Sequence, residues 1–109
     1  MRRVAEVMQG TLDLLILKAL SLESTHGWGI ASRIQRLSGK TFRIGQGSIY
    51  PALHRLEQRG LVSSYWRTTE NSRIARYYSL TPVGKGALEK EVSWWRSYAG
   101  AVTLVIDAR

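Results

Sequence analysis

The sequence offers few side chains that could carry out catalysis or bind a metal. Its two histidines, His26 and His54, have no further histidine or carboxylate cluster at the spacing of a zinc site. Asp13, His54 and Ser48 could be named as a catalytic triad, but Asp13 and Ser48 suit roles at helix starts. There is no nucleophile elbow and no glycine-rich phosphate loop. We therefore expect no enzymatic activity, no metal site and no cofactor.

The chemistry that the sequence favours is the binding of a polyanion. The chain has 16 Lys+Arg against 8 Asp+Glu, a formal net charge of +8. Residues 33–76 hold nine of the basic residues but only Glu57 and Glu70 as acids. A basic centre between nearly neutral ends is typical of a nucleic-acid-binding face, although solubilising arginines are an alternative explanation. A membrane surface is disfavoured, because the basic residues do not lie opposite an apolar face on one helix.

Size and composition limit the class of protein further. A chain of 109 residues with 44% hydrophobic content can form one core but hardly two. It contains no cysteine, as is common in a reducing cytosol. No stretch approaches the roughly 20 apolar residues of a membrane span. We expect a cytoplasmic protein with no membrane partner.

Hydrophobic periodicity predicts three short helices around the basic centre. Apolar residues point in nearly every direction around residues 11–22, which predicts a first helix buried on all sides, with Thr11 as its N-cap. Repeats at i, i+4, i+7 predict a second helix near residues 27–38. The same repeat predicts a third helix, with Ser48 as its N-cap and Pro51 in its first turn.

The pattern changes between and after these helices. Residues 23–27 are typical of a turn, and residues 42–44 are expected to form a short strand. Residues 61–67 and 74–80 are rich in β-branched and aromatic side chains and are joined by a polar link, which predicts a hairpin. Thr81-Pro82 provides an N-cap followed by proline, which predicts a last helix toward the C-terminus.

The last helix has more apolar surface than one small core needs. One line of residues has the 4, 3, 4, 3, 4 spacing of a coiled-coil seam: Leu88, Val92, Trp95, Ala99, Val102 and Ile106. A second line runs beside it: Ala87, Trp94, Tyr98, Ala101 and Val105. We assign one line to the first helix of the same chain and the other to the partner in a homodimer. The predicted dimerisation residues are Leu14, Leu17, Leu88, Val92, Trp95, Ala99, Val102 and Ile106.

Three helices, a hairpin and a long helix make a mainly α fold with a small β-hairpin, in the element order of a winged helix-turn-helix. We expect residues 1–81 to form the DNA-binding domain and residues 82–109 to form a C-terminal dimerisation helix. In this fold the third helix enters the major groove, and the hairpin is the wing. The predicted DNA-binding residues are Arg43, Gln46, Gly47, Ser48, Tyr50, Pro51, His54, Arg55, Arg67, Asn71, Arg73 and Arg76.

The sequence resembles the PadR family of transcriptional regulators over roughly residues 9–98. The matching motifs are Gly47-Ser48-Ile49-Tyr50-Pro51-Ala52-Leu53, Arg55-Leu56-Glu57-Gln58-Arg59-Gly60-Leu61-Val62, Trp66 and Tyr77-Tyr78-Ser79-Leu80-Thr81-Pro82-Val83-Gly84. The chain departs from the family at His26-Gly27-Trp28-Gly29-Ile30, where members resemble Tyr-Gly-Tyr-Glu-Ile. The resemblance therefore leaves open any contact that the usual Tyr and Glu make.

The resemblance implies a dimeric repressor that binds a pseudo-palindromic operator in double-stranded DNA. It also implies that Trp95 occupies the position at which short members hold flat aromatic drugs between paired tryptophans. Trp94, Trp95 and Ala99 are thus the predicted site for a small aromatic ligand that relieves repression, unless the tryptophans only fill the interface. The alternative function is a dimeric adaptor module whose basic face binds an acidic protein.

Overall fold

The computed structural model describes residues 9–109, and it confirms the mainly α, winged-helix arrangement. The helices are α1 (Gln9–Leu22), α2 (Gly27–Leu37), α3 (Gln46–Gln58) and α4 (Pro82–Ile106), and the strands are β1 (Thr25–His26), β2 (Val62–Thr68) and β3 (Ile74–Leu80). The division into domains at residues 1–81 and 82–109 stays a prediction. Residues 1–8 of the first domain lie outside the described part of the chain.

The core forms around α1, which packs against α2, α3, α4 and β3. Ile16 and Leu17 of α1 are fully buried, as the all-round apolar pattern predicts. The buried apolar side chains that α2 and α3 contribute are Ile30, Ala31, Ile34, Ile49, Ala52, Leu53 and Leu56. The i, i+4, i+7 repeat that predicts α2 consists of Ile30, Ile34 and Leu37. Leu37 is exposed, because it ends the helix beyond the edge of the core.

Two predicted helix starts are wrong. Thr11 lies inside α1 and is not its N-cap. The N-cap of α3 is Gly45 instead of Ser48, so Pro51 lies inside the helix and not in its first turn. The hydrogen bond that Pro51 cannot donate would go to the carbonyl of Gly47, and Gly47 is exposed, so water can take the place of that donor.

The sheet has one more strand than the predicted hairpin. Residues Thr25 and His26, predicted within a turn, form β1 and pair with Tyr78 and Tyr77 of β3. The sheet is therefore three-stranded and antiparallel, in the order β1-β3-β2. Residues 42–44, predicted as a strand, contain only an isolated bridge at Phe42.

The long helix α4 begins as predicted and leaves the core halfway along. Thr81 is its N-cap, and the threonine hydroxyl accepts the amide of Gly84 at 2.9 Å. Leu88 is buried, and Ala87 and Val92 pack partly buried against the core. Later apolar side chains are mostly exposed. Within residues 9–109, no helix has the length and apolar character required to cross a membrane.

Candidate nucleic-acid interface and the exposed face of α4

The outward side of α3 is the centre of the candidate site. Ile49, Leu53 and Leu56 are fully buried, which turns the rest of the helix toward solvent. Five of the predicted DNA-binding residues on α3 are exposed: Gly47, Ser48, Tyr50, Pro51 and His54. Gln46 is half-buried, and Arg43, which precedes the helix, is exposed. Hydroxyl, amide and imidazole groups on an exposed helix can reach base edges in a major groove.

Tyr50 connects α3 to the start of α2. A Cβ built on Gly27 would lie 2.9 Å from Cζ of Tyr50, closer than real contacts of this kind. The phenol ring therefore packs directly over the glycine backbone, and any larger residue would displace it. Sequence reasoning missed this role of Gly27, because it depends on the absence of a side chain opposite a residue far away in the sequence.

His26 and Trp28 also belong to this surface and were missed from the sequence. The Nδ1 atom of His26 accepts the amide of Gly29 at 3.1 Å and so caps α2. Ring contacts continue from His26 to Trp28, 6.4 Å between centroids, and to Tyr77 at 5.3 Å. Tyr77 in turn stacks with Tyr65 at 5.9 Å. The result is a row of aromatic rings that ends at Trp28, which is 67% exposed.

The wing is the hairpin of β2 and β3 together with the loop that joins them. Thr69 donates its amide to the carbonyl of Arg73 at 2.6 Å, which closes the loop. Asn71 and Arg73 are exposed there. The guanidinium of Arg67 lies over the Tyr77 ring at 5.1 Å from its centroid. Exposed guanidinium groups at a wing are suited to contacts with phosphates.

An open cleft of about 640 Å³ separates the wing from the start of α2. It is lined by Tyr50 of α3, by Trp28 beside the α2 N-cap, and by Arg67 and Arg73 of the wing. The cleft is open because β1 has only two residues and leaves the part of β3 nearest the wing uncovered. Residues from three separate elements therefore face one space, which we call the wing cleft.

Two of the predicted DNA-binding arginines are engaged within the protein. Nη2 of Arg55 lies 3.2 Å from Oδ1 of Asp13 on α1. Nη2 of Arg76 lies 3.5 Å from Oε2 of Glu57, and its Nε donates to Oγ of Ser64 at 2.8 Å. These arginines are less free to meet a ligand than the two that line the wing cleft.

A second candidate surface is the exposed face of α4. Trp94 and Tyr98 stack with 5.1 Å between ring centroids and are 61% and 53% exposed. Together with Trp95 and with Leu14 of α1 they line a groove of about 590 Å³, which we call the tryptophan groove. Ala99 is not among the residues that line it.

The predicted dimerisation residues divide between the core and this face. Leu14, Leu17 and Leu88 are buried within their own chain, so they offer little area to a partner. Trp95, Val102 and Ile106 are exposed, and Val92 and Ala99 are half-buried.

A comparison with protein-family models matches residues 16–90 to the transcriptional regulator PadR-like family. The chain belongs to the PadR-like family. The match includes α2, α3, the wing and the first turns of α4, and it confirms the predicted resemblance. The protein is thus a DNA-binding transcriptional regulator, and the prediction that it is not an enzyme agrees with its family.

The chain is also similar to individual proteins and solved structures. The chain is 36% identical over 86 residues to the transcriptional regulator Rv3488 of Mycobacterium tuberculosis, which covers 79% of this chain and 77% of that protein. The crystal structure of a PadR family transcription regulator from Clostridium difficile is 29% identical, with a TM-score of 0.74 over 87% of this chain and 97% of the other. A structure from Streptococcus mutans, 26% identical, has a TM-score of 0.83 over 96% of this chain and 94% of the other.

Proposed function

We propose that this PadR-like regulator is a homodimeric repressor that binds a pseudo-palindromic operator through α3 and the wing. The observation that carries the proposal is that Tyr50, Arg67 and Arg73 line one cleft beside the exposed side of α3. Groups at the start of α3 would contact base edges, and the wing arginines would contact phosphates. Two such subunits related by a twofold axis match two half-sites about one helical turn apart.

The proposal includes repression and a cytoplasmic location. Occupation of an operator that overlaps a promoter excludes the polymerase and requires no further activity of the bound protein. A repressor must share a compartment with its operator, so we propose a cytoplasmic location.

Replacing Arg67 or Arg73 with alanine should weaken binding to all duplexes about equally. Each phosphate contact that is lost lowers the slope of log affinity against log salt by about 0.9 per site. We therefore expect the slope to fall by about one for each subunit. The measurement is fluorescence anisotropy at several salt concentrations, with a duplex enriched from genomic fragments and with an unrelated duplex.

Two kinds of control complete this experiment. Arg96→Ala removes one exposed positive charge from α4, far along the chain from the wing, and should leave the slope unchanged. Ser48→Ala and His54→Ala should alter sequence preference instead, because these residues lie on the outward side of α3. If the changes at Arg67, Arg73, Ser48 and His54 all leave affinity and sequence preference unchanged, this surface does not bind DNA. An acidic protein then becomes the better candidate partner.

We also propose that a planar aromatic ligand binds against Trp95 at the dimer interface and relieves repression. Two observations support a site there: Trp94, Trp95 and Leu14 line one groove, and its volume of about 590 Å³ is within the range of small-molecule sites. A ligand between two α4 helices would change the angle between the subunits. The separation of the two α3 helices would change with it, although the half-sites stay about 34 Å apart.

Titration with planar dyes should quench tryptophan fluorescence in the wild type and much less in Trp95→Ala. Because coupling between two sites is reciprocal, operator DNA should weaken dye binding by the same factor by which the dye weakens DNA binding. Trp66→Ala is the matched control for dye binding in the absence of DNA, since Trp66 lies on β2 and not in the groove. If no dye binds below roughly 100 µM, or if Trp95→Ala binds as well as the wild type, the tryptophans only fill the interface.

A further inference from the structure

Glu57, in the last turn of α3, is held by one side chain from each of two wing strands. Ser64 of β2 donates its hydroxyl to Oε2 of Glu57 at 2.5 Å. Nη2 of Arg76 on β3 lies 3.5 Å from the same oxygen. Nε of Arg76 also donates to Oγ of Ser64 at 2.8 Å. The three side chains form a closed set of polar contacts, which we call the Glu57 network.

Aromatic side chains surround the Glu57 network on the same face of the sheet. Trp66 is directly opposite Arg76 in the register of β2 and β3, and the guanidinium lies 5.6 Å from the Trp66 ring centroid. Ser64 is opposite the buried Tyr78. Burial raises the pKa of Tyr78 above its ordinary value, and the charges of Arg76 and Glu57 act on that pKa in opposite directions.

The Glu57 network joins the two elements that the proposed function assigns to DNA. α3 carries Ser48 and Tyr50 near its start and Glu57 near its end, whereas β2 and β3 lead from the network to the tip of the wing. The backbone link from α3 to β2 is short, but it fixes only the base of the hairpin. A site that reads DNA requires its contacting groups to be held within about 0.5 Å by supporting side chains.

We propose that Arg76 is a positioning residue that fixes the wing relative to α3 through Glu57 and Ser64, and that it is not a phosphate ligand. The proposal rests on the proposed function, in which α3 and the wing bind the same DNA. It differs from the sequence-based prediction, which places Arg76 among the residues in contact with DNA. Arg67 and Arg73 line the wing cleft, but Arg76 does not.

The chemistry of arginine makes this proposal separable from a simple charge effect. Only a guanidinium can reach Ser64 with Nε and Glu57 with Nη2 while lying over the Trp66 ring. Lysine keeps the positive charge but has a single donor group. Arg76→Lys should therefore bind DNA as poorly as Arg76→Ala if Arg76 positions the wing, and nearly as well as the wild type if it contacts phosphate.

Glu57 gives a second test, in which the two explanations predict opposite signs. Removing a negative charge near DNA strengthens binding if only charge matters. If Glu57 anchors the wing, Glu57→Gln weakens binding, because the amide cannot form the ion pair with Arg76.

The experiment measures operator affinity and salt slope for Arg76→Lys, Arg76→Ala, Glu57→Gln, Ser64→Ala and the double variant Arg76→Ala with Glu57→Gln. Groups in one network typically couple strongly, so we expect each change at Arg76 or Glu57 to weaken binding about tenfold, and the double variant to be no worse than either. The salt slope should change by the same amount in Arg76→Lys and Arg76→Ala, because both variants release the wing. Circular dichroism checks folding, and Ser64→Ala replaces any variant that does not fold.

Amide hydrogen exchange in the absence of DNA provides an independent readout. The amides of β2 and β3 should exchange faster in Arg76→Lys and Glu57→Gln than in the wild type, while those of α1 stay unchanged. Failure of the wild type to bind any duplex would overturn the proposed function, and the exchange rates would then still decide whether the network holds the wing. The positioning role is overturned if Arg76→Lys binds like the wild type while Arg76→Ala lowers the slope, if Glu57→Gln binds more tightly, or if exchange is unchanged.

Discussion

Gly84→Ala should destabilise the protein by more than about 3 kcal/mol or prevent folding. A Cβ at this position would overlap the backbone carbonyl oxygen of Leu61 and would lie 2.8 Å from Cδ1 of Leu80. The oxygen cannot move aside easily, because it accepts the amide of Thr81 at 3.1 Å. Urea unfolding, monitored by circular dichroism, gives the free energy of unfolding of the wild type and of Gly84→Ala.

Gly86→Ala is the matched control for this prediction. Gly86 lies two residues later in the same helix, and a Cβ there would meet no atom within 4 Å. Alanine has a higher helix propensity than glycine, so this change should stabilise the protein by up to about 1 kcal/mol. Similar unfolding free energies for the two variants would contradict the close approach of α4 to Leu61.

Replacing Ala99 and Val102 together with glutamate should convert the proposed dimer into monomers. Both residues lie on the predicted seam of α4, and glutamates there would place like charges in an apolar interface that offers them no partners. Val92 on the same line is left unchanged, since it packs partly against the chain's own core. Sedimentation velocity at micromolar concentration measures the outcome.

Leu104→Glu is the control for the seam. Leu104 is 77% exposed and, at 3.6 residues per turn, lies on the side of α4 opposite Leu88. This variant should sediment like the wild type. A monomeric wild type would show that the two apolar lines of α4 do not serve dimerisation, and dissociation by Leu104→Glu would show that the interface lies elsewhere on the helix.

Periodic and local patterns predicted most of the fold. The buried faces of α2 and α3 repeat at helical spacing, and Thr81-Pro82 is a local signal for the start of α4. The strand β1 was missed because two residues contain no period, and its pairing depends on β3, far along the chain. The start of α3 was misplaced because its N-cap is Gly45, which has no side chain to mark it.

The candidate site was predicted less completely than the fold. The sequence shows where positive charge is concentrated, but it does not show which guanidinium groups already have partners. Arg55 pairs with Asp13, which is 42 positions away, and the contacts of Arg76 depend on the register between β2 and β3. The structural importance of Gly27 and Gly84 depends on atoms that approach from other elements.

The position of α1 has a mechanical consequence for a dimer built through α4. This helix packs against both α4 and α3, and the ion pair between Asp13 and Arg55 fastens it to α3. Each subunit would then move as one rigid body, and the contact between the two α4 helices would be the most flexible part of the dimer. Substitutions along α4 would change the separation of the two α3 helices and therefore the spacing of the half-sites that the dimer prefers. The base preference, which depends on the side chains of α3, would stay constant.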